Sequence, residues 1–161
     1  MVDNTILQTL SKVKAFDGLT EDDLRLFLSH CKEASFNKDE VITKAGDSVN
    51  SFNIIVSGQL KVFLPETVEG DNIQRFAEIQ LNILNEGDCF GEYSLIKKTT
   101  ASASIIGIEA GELIKISDTA FNKILSINDR ITKTIYYNLL CMLIDRLGKR
   151  EEEYDIVLVS S

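Results

Sequence analysis

The chain is poor in several residue types, and each shortage narrows what it can do. Its 161 residues include one proline, one histidine, three cysteines and no tryptophan. His30 has no serine or cysteine partner of a kind that nucleophilic catalysis requires, and one histidine makes no transition-metal cluster. Nothing in the sequence reads as an enzyme active site. Cys31, Cys89 and Cys141 are odd in number and widely spaced, which matches no zinc site. Their apolar surroundings mark them as buried free thiols. No signal peptide is recognisable, so the reducing cytoplasm is the expected setting. No apolar run approaches the ~20 residues of a membrane span. Positive charge is scarce too: 17 Lys and Arg stand against 25 Asp and Glu, a net charge of −8. Phosphate backbones need clustered Lys and Arg, so a nucleic-acid partner is not expected. A small anionic ligand needs only one local positive pocket and is compatible with this balance.

What is present is a core. Hydrophobic residues make up 44% of the chain, and its length suits one domain. No internal repeat or low-complexity tract is visible. Ile6, Leu7, Leu10 and Val13 have helical spacing over residues 4–14, with Asp3 or Asn4 as the cap and Gly18 as the breaker. Thr20 followed by Asp23 outlines a capping box before Leu24, Leu26, Phe27 and Leu28. Residues 1–33 are therefore read as N-terminal helices that pack against the rest of the domain.

From Ala34 the pattern becomes one of short β-prone runs and glycine turns, which reads as an all-β barrel or double sheet over residues 34–117. Pro65–Asn72 is an acidic, solvated hairpin tip. After it, Ile73, Ala77, Ile79, Leu81 and Ile83 alternate with Gln74, Glu78, Gln80 and Asn82. Period two predicts a strand with its apolar face buried and its polar face wet. Asp118 is placed to cap a helix carrying Phe121, Ile124 and Leu125. A longer helix bears Ile127, Ile131, Ile135, Leu139, Met142 and Leu143 on one side and ends near Gly148 as a C-cap. The helices thus span 118–150, and the β-prone run Ile156–Val159 sits in a separate tail, 151–161.

The most informative stretch is Asn85–Leu95. Gly87-Asp88 is turn chemistry, Phe90 an apolar anchor, and Gly91 removes a side chain where backbone would approach a ligand. Glu92–Ile96 would then start a short helix whose free N–H groups offer an anion site. The order Gly46-Asp47, Ser57-Gly58, then Gly87-Asp88-Cys89-Phe90-Gly91-Glu92, with helices at both ends, resembles the cyclic-nucleotide-binding domain family. That family includes catabolite-activator and protein kinase A regulatory-subunit types, and the resemblance runs from about Phe16 to about Leu147. It implies a β jelly roll (double-stranded β-helix) with flanking helices. It also implies ligand contacts at Gly91, Glu92, Tyr93, Ala101, Ser102 and Ala103. In the family the glutamate that matches Glu92 holds a ribose hydroxyl, and an arginine further on clamps the cyclic phosphate. Here Thr100-Ala101-Ser102-Ala103-Ser104 aligns with the family's Pro-Arg-Ala-Ala-Thr, so Ala101 stands where the arginine belongs.

An arginine fork on phosphate contributes roughly 1.5–3 kcal/mol per charged hydrogen bond. Losing two such bonds weakens binding by roughly two to four powers of ten. Lys97 and Lys98 lie in the same loop and are read as solvated. The resemblance therefore implies a non-catalytic regulatory module that takes cAMP or cGMP weakly or not at all, with no cofactor. The alternative is an interaction module with an unused pocket, acting through an unknown protein partner or as a homodimer through the 127–147 helix. Catabolite-activator-type members continue into a DNA-binding helix pair. This sequence ends before one, and its tail is not basic.

Overall fold

The structure is a computed structural model describing residues 4–159 apart from 69, 71 and 73, with side chains described as far as Glu153. Of the positions used in the sequence reading, Asp3, Ile73, residues 69 and 71 of the hairpin tip and residues 160–161 of the tail lie outside the described residues.

The N-terminal helices form where local signals place them. Helix α1 covers Asn4–Ser11 and buries Leu7 and Leu10. It stops short of residue 14, and a 3-10 turn, Lys14–Phe16, comes next before Gly18 reverses the chain at φ 86°. Helix α2, Glu21–Leu28, opens with the expected capping box. The Thr20 hydroxyl accepts from the Asp23 N–H at 3.3 Å, and the Asp23 carboxylate accepts from the Thr20 N–H at 2.8 Å.

Among the described residues eight strands follow these two helices: β1 (Lys32–Phe36), β2 (Val41–Thr43), β3 (Ser48–Val49), β4 (Ser51–Leu64), β5 (Ile79–Leu84), β6 (Cys89–Phe90), β7 (Thr99–Thr100) and β8 (Ser104–Ser117). All ladders are antiparallel. The main sheet runs β1-β8-β4-β5, with β2 on β8 and β6 on β4, while β3 and β7 pair separately. This is the mainly β roll with flanking helices that the sequence predicts. Strands β4 and β8 pair from Ser51↔Ser117 to Phe63↔Ser104, with register shifts between Ile55 and Leu60. At the bend Gly111 presses on β4. A Cβ there would lie 2.0 Å from the Ser57 carbonyl oxygen, so only glycine fits.

Alternation along these two strands feeds two cores. Phe52, Ile54, Ile114 and Ile116 face the helices and pack with Phe16, Phe27 and Phe121. The Phe16 and Phe27 rings meet edge-on at 4.6 Å. Ile55, Leu60, Ile105 and Leu113 point the other way, into the roll with Phe36, Leu84 and Phe90.

Strand β5 departs from its expected burial. Ile79 and Leu81 are each 48% exposed and Ile83 37%, and only Leu84 reaches the core. The period-two pattern is real, but among the described residues β5 pairs with β4 alone and its apolar face stays exposed. Periodicity separates two faces without saying which one meets a partner.

The C-terminal helices differ from expectation at three points. Helix α4, Asp118–Ile127, is capped by Ser117, whose hydroxyl accepts from the Ala120 N–H at 3.1 Å, and Asp118 is its first helical residue. Helix α5 runs unbroken from Asp129 to Val159. Gly148 does not end it, and the Ile156–Val159 run is helical instead of forming a separate tail. Lys149–Glu153 are strong helix formers, and propagation from a formed helix outweighs the β-preference of the residues beyond. Third, the expected interface stripe is already used: Ile131, Ile135 and Leu139 are buried in the protein's own core.

Two polar ties fix the first half of α5. The Asn138 amide donates to the Ala15 and Asp17 carbonyls at 3.2 and 2.8 Å. Arg130 donates to both Asp23 oxygens at 2.5 and 2.6 Å. Burial pushes the Asp23 carboxyl up, but its bonds from Arg130 and Thr20 outweigh that and hold it below the ordinary 3.8. A carboxyl depressed in the folded state contributes stability above its unfolded value and loses it as pH falls through the folded one. Between about pH 5 and about pH 3, the melting temperature is therefore expected to fall more steeply for the parent than for Asp23→Asn. At neutral pH, Asp23→Ala is expected to cost on the order of 2 kcal/mol in chemical denaturation.

Candidate cyclic-nucleotide site

The turn before the site is fixed to β4. Asp88 accepts from the Asn85 N–H at 2.8 Å through its carboxylate. Gly87, at φ 84°, donates its N–H to the Ile55 carbonyl, and Ile55 donates back to Asp88, each at 2.9 Å. Strand β6 then pairs Cys89 and Phe90 with Ile54 and Asn53. Gly91, at φ 81°, passes so close to β4 that a Cβ would lie 2.3 Å from the Ser51 carbonyl oxygen. The glycine thus serves the chain's own close approach, where the sequence suggested an approach to ligand.

A single helical turn, α3 (Tyr93–Ile96), comes next, with Glu92 at its N-cap and Leu95 in the core. The Ser94 and Leu95 N–H groups are already bonded to Gly91 and Glu92 carbonyls at 3.2 Å. Two of the N–H groups expected to offer an anion site here are therefore taken, and a single turn has only a small dipole.

Glu92 is 6% exposed, and its carboxylate accepts from the Arg146 guanidinium of α5. The same Nη1 donates to the Tyr93 hydroxyl at 3.2 Å, and the guanidinium carbon lies 5.9 Å from the Tyr93 ring centre. Partial burial works against the Arg146 charge, but the Glu92 carboxylate and Tyr93 hydroxyl outweigh it and raise its proton affinity further. Burial, followed by the Glu92 charge, pushes the neighbouring Cys89 thiol up to about 12. Burial alone does the same to Cys31, so both thiols stay protonated and inert at neutral pH. All three cysteines are free, although Cys31 and Cys141 are only partly buried.

The other expected site residues lie on the segment from β7 into β8. Ala101 is half-buried and locked by its backbone: its N–H donates to the Asp47 carbonyl and its carbonyl accepts from Gly46, both at 2.8 Å. Ser102 is exposed and Ala103 half-buried. Ser104 is buried, with its hydroxyl accepting from the Ala45 N–H at 2.9 Å. Lys97 and Lys98 are exposed, as expected of a solvated loop. Arg146 is the site residue the sequence reading missed. It continues the inward spacing 131, 135, 139, 142, so an arginine on an otherwise apolar stripe was the available signal.

A jelly roll interrupted by a one-turn helix, with a long C-terminal helix that reaches that turn through Arg146, has the architecture of a β-roll binding domain. The sequence model described as "Cyclic nucleotide-binding domain" matches residues 33–128, more than half of the chain. The chain belongs to the cyclic nucleotide-binding domain family. A cGMP-dependent protein kinase of Caenorhabditis briggsae is 31% identical over 129 residues, 80% of this chain but 16% of the kinase. The Cyclic AMP receptor protein of Thermus thermophilus is 26% identical over 142 residues, covering 88% of this chain and 61% of that protein. The chain thus spans less than two thirds of these relatives. The crystal structure of the Thermus thermophilus catabolite activator protein superposes with a TM-score of 0.74 over 89% of this chain and 62% of its own. A cyclic nucleotide-binding domain from Methylobacillus flagellatus, at 20% identity, shares the fold with a TM-score of 0.77 over 98% of this chain and 83% of its own. Among the described residues no helix is long and apolar enough to cross a membrane, and no group of His, Cys, Asp and Glu is arranged to hold a metal ion.

The two turn glycines separate backbone sign from crowding. Both have positive φ, but a Cβ at Gly87 meets nothing within 4 Å. Gly91→Ala is expected to lower the melting temperature by about 5 °C more than Gly87→Ala, an effect of the clash with β4.

Proposed function

We propose that the chain is a non-catalytic cytoplasmic regulatory module whose output is the position of α5, and that it binds cAMP and cGMP weakly or not at all. The observation that carries this reading is Ala101. It occupies the matching position of the family's phosphate-clamping arginine, in a backbone tied on both sides to Gly46 and Asp47. A methyl group offers no donor. Nearby positive charge does not make up the loss, because Arg146 is engaged by Glu92 and the two loop lysines point to solvent. In this reading Gly91, Glu92, Tyr93, Ser102 and Ala103 are what remains of the ligand contacts. Isothermal titration of the parent with cAMP and cGMP is expected to be flat at micromolar ligand. Ala101→Arg is expected to raise cAMP affinity at least about tenfold, since one charged fork exceeds 1.4 kcal/mol. No gain would mean that the base or ribose contacts have diverged as well.

A second reading, homodimerisation, is supported by a different stripe from the one the sequence suggested. Tyr137, Leu140, Ile144 and Leu147 recur at 3-4-3 spacing on α5, and each is more than half exposed. That is the spacing of a two-helix seam. Sedimentation is expected to show a dimer for the parent and a monomer for Ile144→Asp, with unchanged circular dichroism.

A further inference from the structure

We propose that Glu92 and Tyr93 form a receptor for a guanidinium group, and that its resident ligand is Arg146 of the chain's own α5. This rests on the reading above that the site has lost its phosphate clamp.

The chemistry of the site favours a cation. Glu92 is a buried carboxylate, and a buried charge is tolerated only when paired and hydrogen-bonded. Its charged partner is Arg146, which also reaches the Tyr93 hydroxyl and lies near the Tyr93 ring. Carboxylate, hydroxyl acceptor and aromatic ring are three features that suit a flat, delocalised cation. They suit a phosphate poorly, because Glu92 repels it and Ala101 supplies no donor. The two loop lysines nearest in sequence, Lys97 and Lys98, remain in solvent, so the site holds the more remote arginine fork while both ammonium groups stay outside.

Arg146 is fifty-four residues from Glu92 in sequence and is brought there by α5. Because α5 is anchored upstream at Ile131, Ile135, Leu139 and Asn138, Arg146 acts as a tethered ligand at millimolar effective concentration. Docking of α5 then needs no small molecule. A competing ligand for this site would carry a guanidinium, such as an arginine side chain presented by a protein partner.

Chemical rescue tests this. Arg146→Ala is expected to melt about 5 °C below the parent and to exchange amide hydrogens faster in α5 beyond Asn138. Addition of about 10 mM methylguanidinium, comparable with the tether's effective concentration, is expected to restore much of both losses at constant ionic strength. Cyclic AMP at the same concentration is expected to restore neither. Introducing Glu92→Gln into the Arg146→Ala chain is expected to abolish the rescue. Should Arg146→Ala fail to fold, Arg146→Gln, which retains part of the stem, carries the same test. The proposal is overturned if cyclic AMP but not methylguanidinium restores the variant, if neither does, or if the variant melts and exchanges like the parent. Saturable cAMP binding by the parent would overturn the low-affinity reading separately, since the rescue is read in a different protein with a different ligand.

Discussion

A buried carboxylate must find a positive partner or give up its charge, and that requirement at Glu92 ties the molecule together. Glu92 is held in place by constraints that begin in β4: the Gly87-Asp88 turn bonded to Ile55, the β6 ladder, and Gly91 pressed on the Ser51 carbonyl. Those constraints leave the carboxylate at the start of α3 with few routes to water. The nearest solution in sequence would be a lysine from its own loop. The solution adopted reaches across to the last helix, so one charge pair links the β6–α3 segment to α5. The remaining contacts of α5 serve the same end. Its apolar stripe and its links to Asp23, Ala15 and Asp17 set the axis along which Arg146 arrives.

Features written in neighbouring residues were legible in the sequence. The Thr20–Asp23 box, the glycine turns and the division into helices, roll and helices come from rules that act within a few positions. Family resemblance pointed to Glu92 and the substituted Ala101 as candidate site positions. What was not legible depends on contacts distant in sequence. The apolar face of β5 reads as buried, yet whether it is covered depends on which strands neighbour it. The preference of Ile156–Val159 for strand yields to a helix already propagating into it. Gly91 looks like an opening for ligand until β4 is seen behind it. The Glu92–Arg146 pair, fifty-four residues apart, has no local signature except an arginine on an inward stripe.

The two apolar stripes of α5 divide its labour. One, through Ile131, Ile135 and Leu139, belongs to the protein's own core. The other, through Tyr137, Leu140, Ile144 and Leu147, faces outward. A single helix therefore carries both the partner of the buried carboxylate and an exposed apolar surface, with no flexible linker between them.

The uninterrupted length of α5 gives that connection a mechanical gain. Among the described side chains Leu139 is the last fully buried anchor, and the helix runs twenty residues further to Val159. At 1.5 Å per residue the helix continues for about 30 Å beyond Leu139, so each degree of tilt about Leu139 would displace its far end by about 0.5 Å. Arg146 lies only about 10 Å out along that length, so its movements would be magnified about threefold at the tip. The geometry of one long helix thus makes its far end the place where a small tilt at the charge pair would be largest.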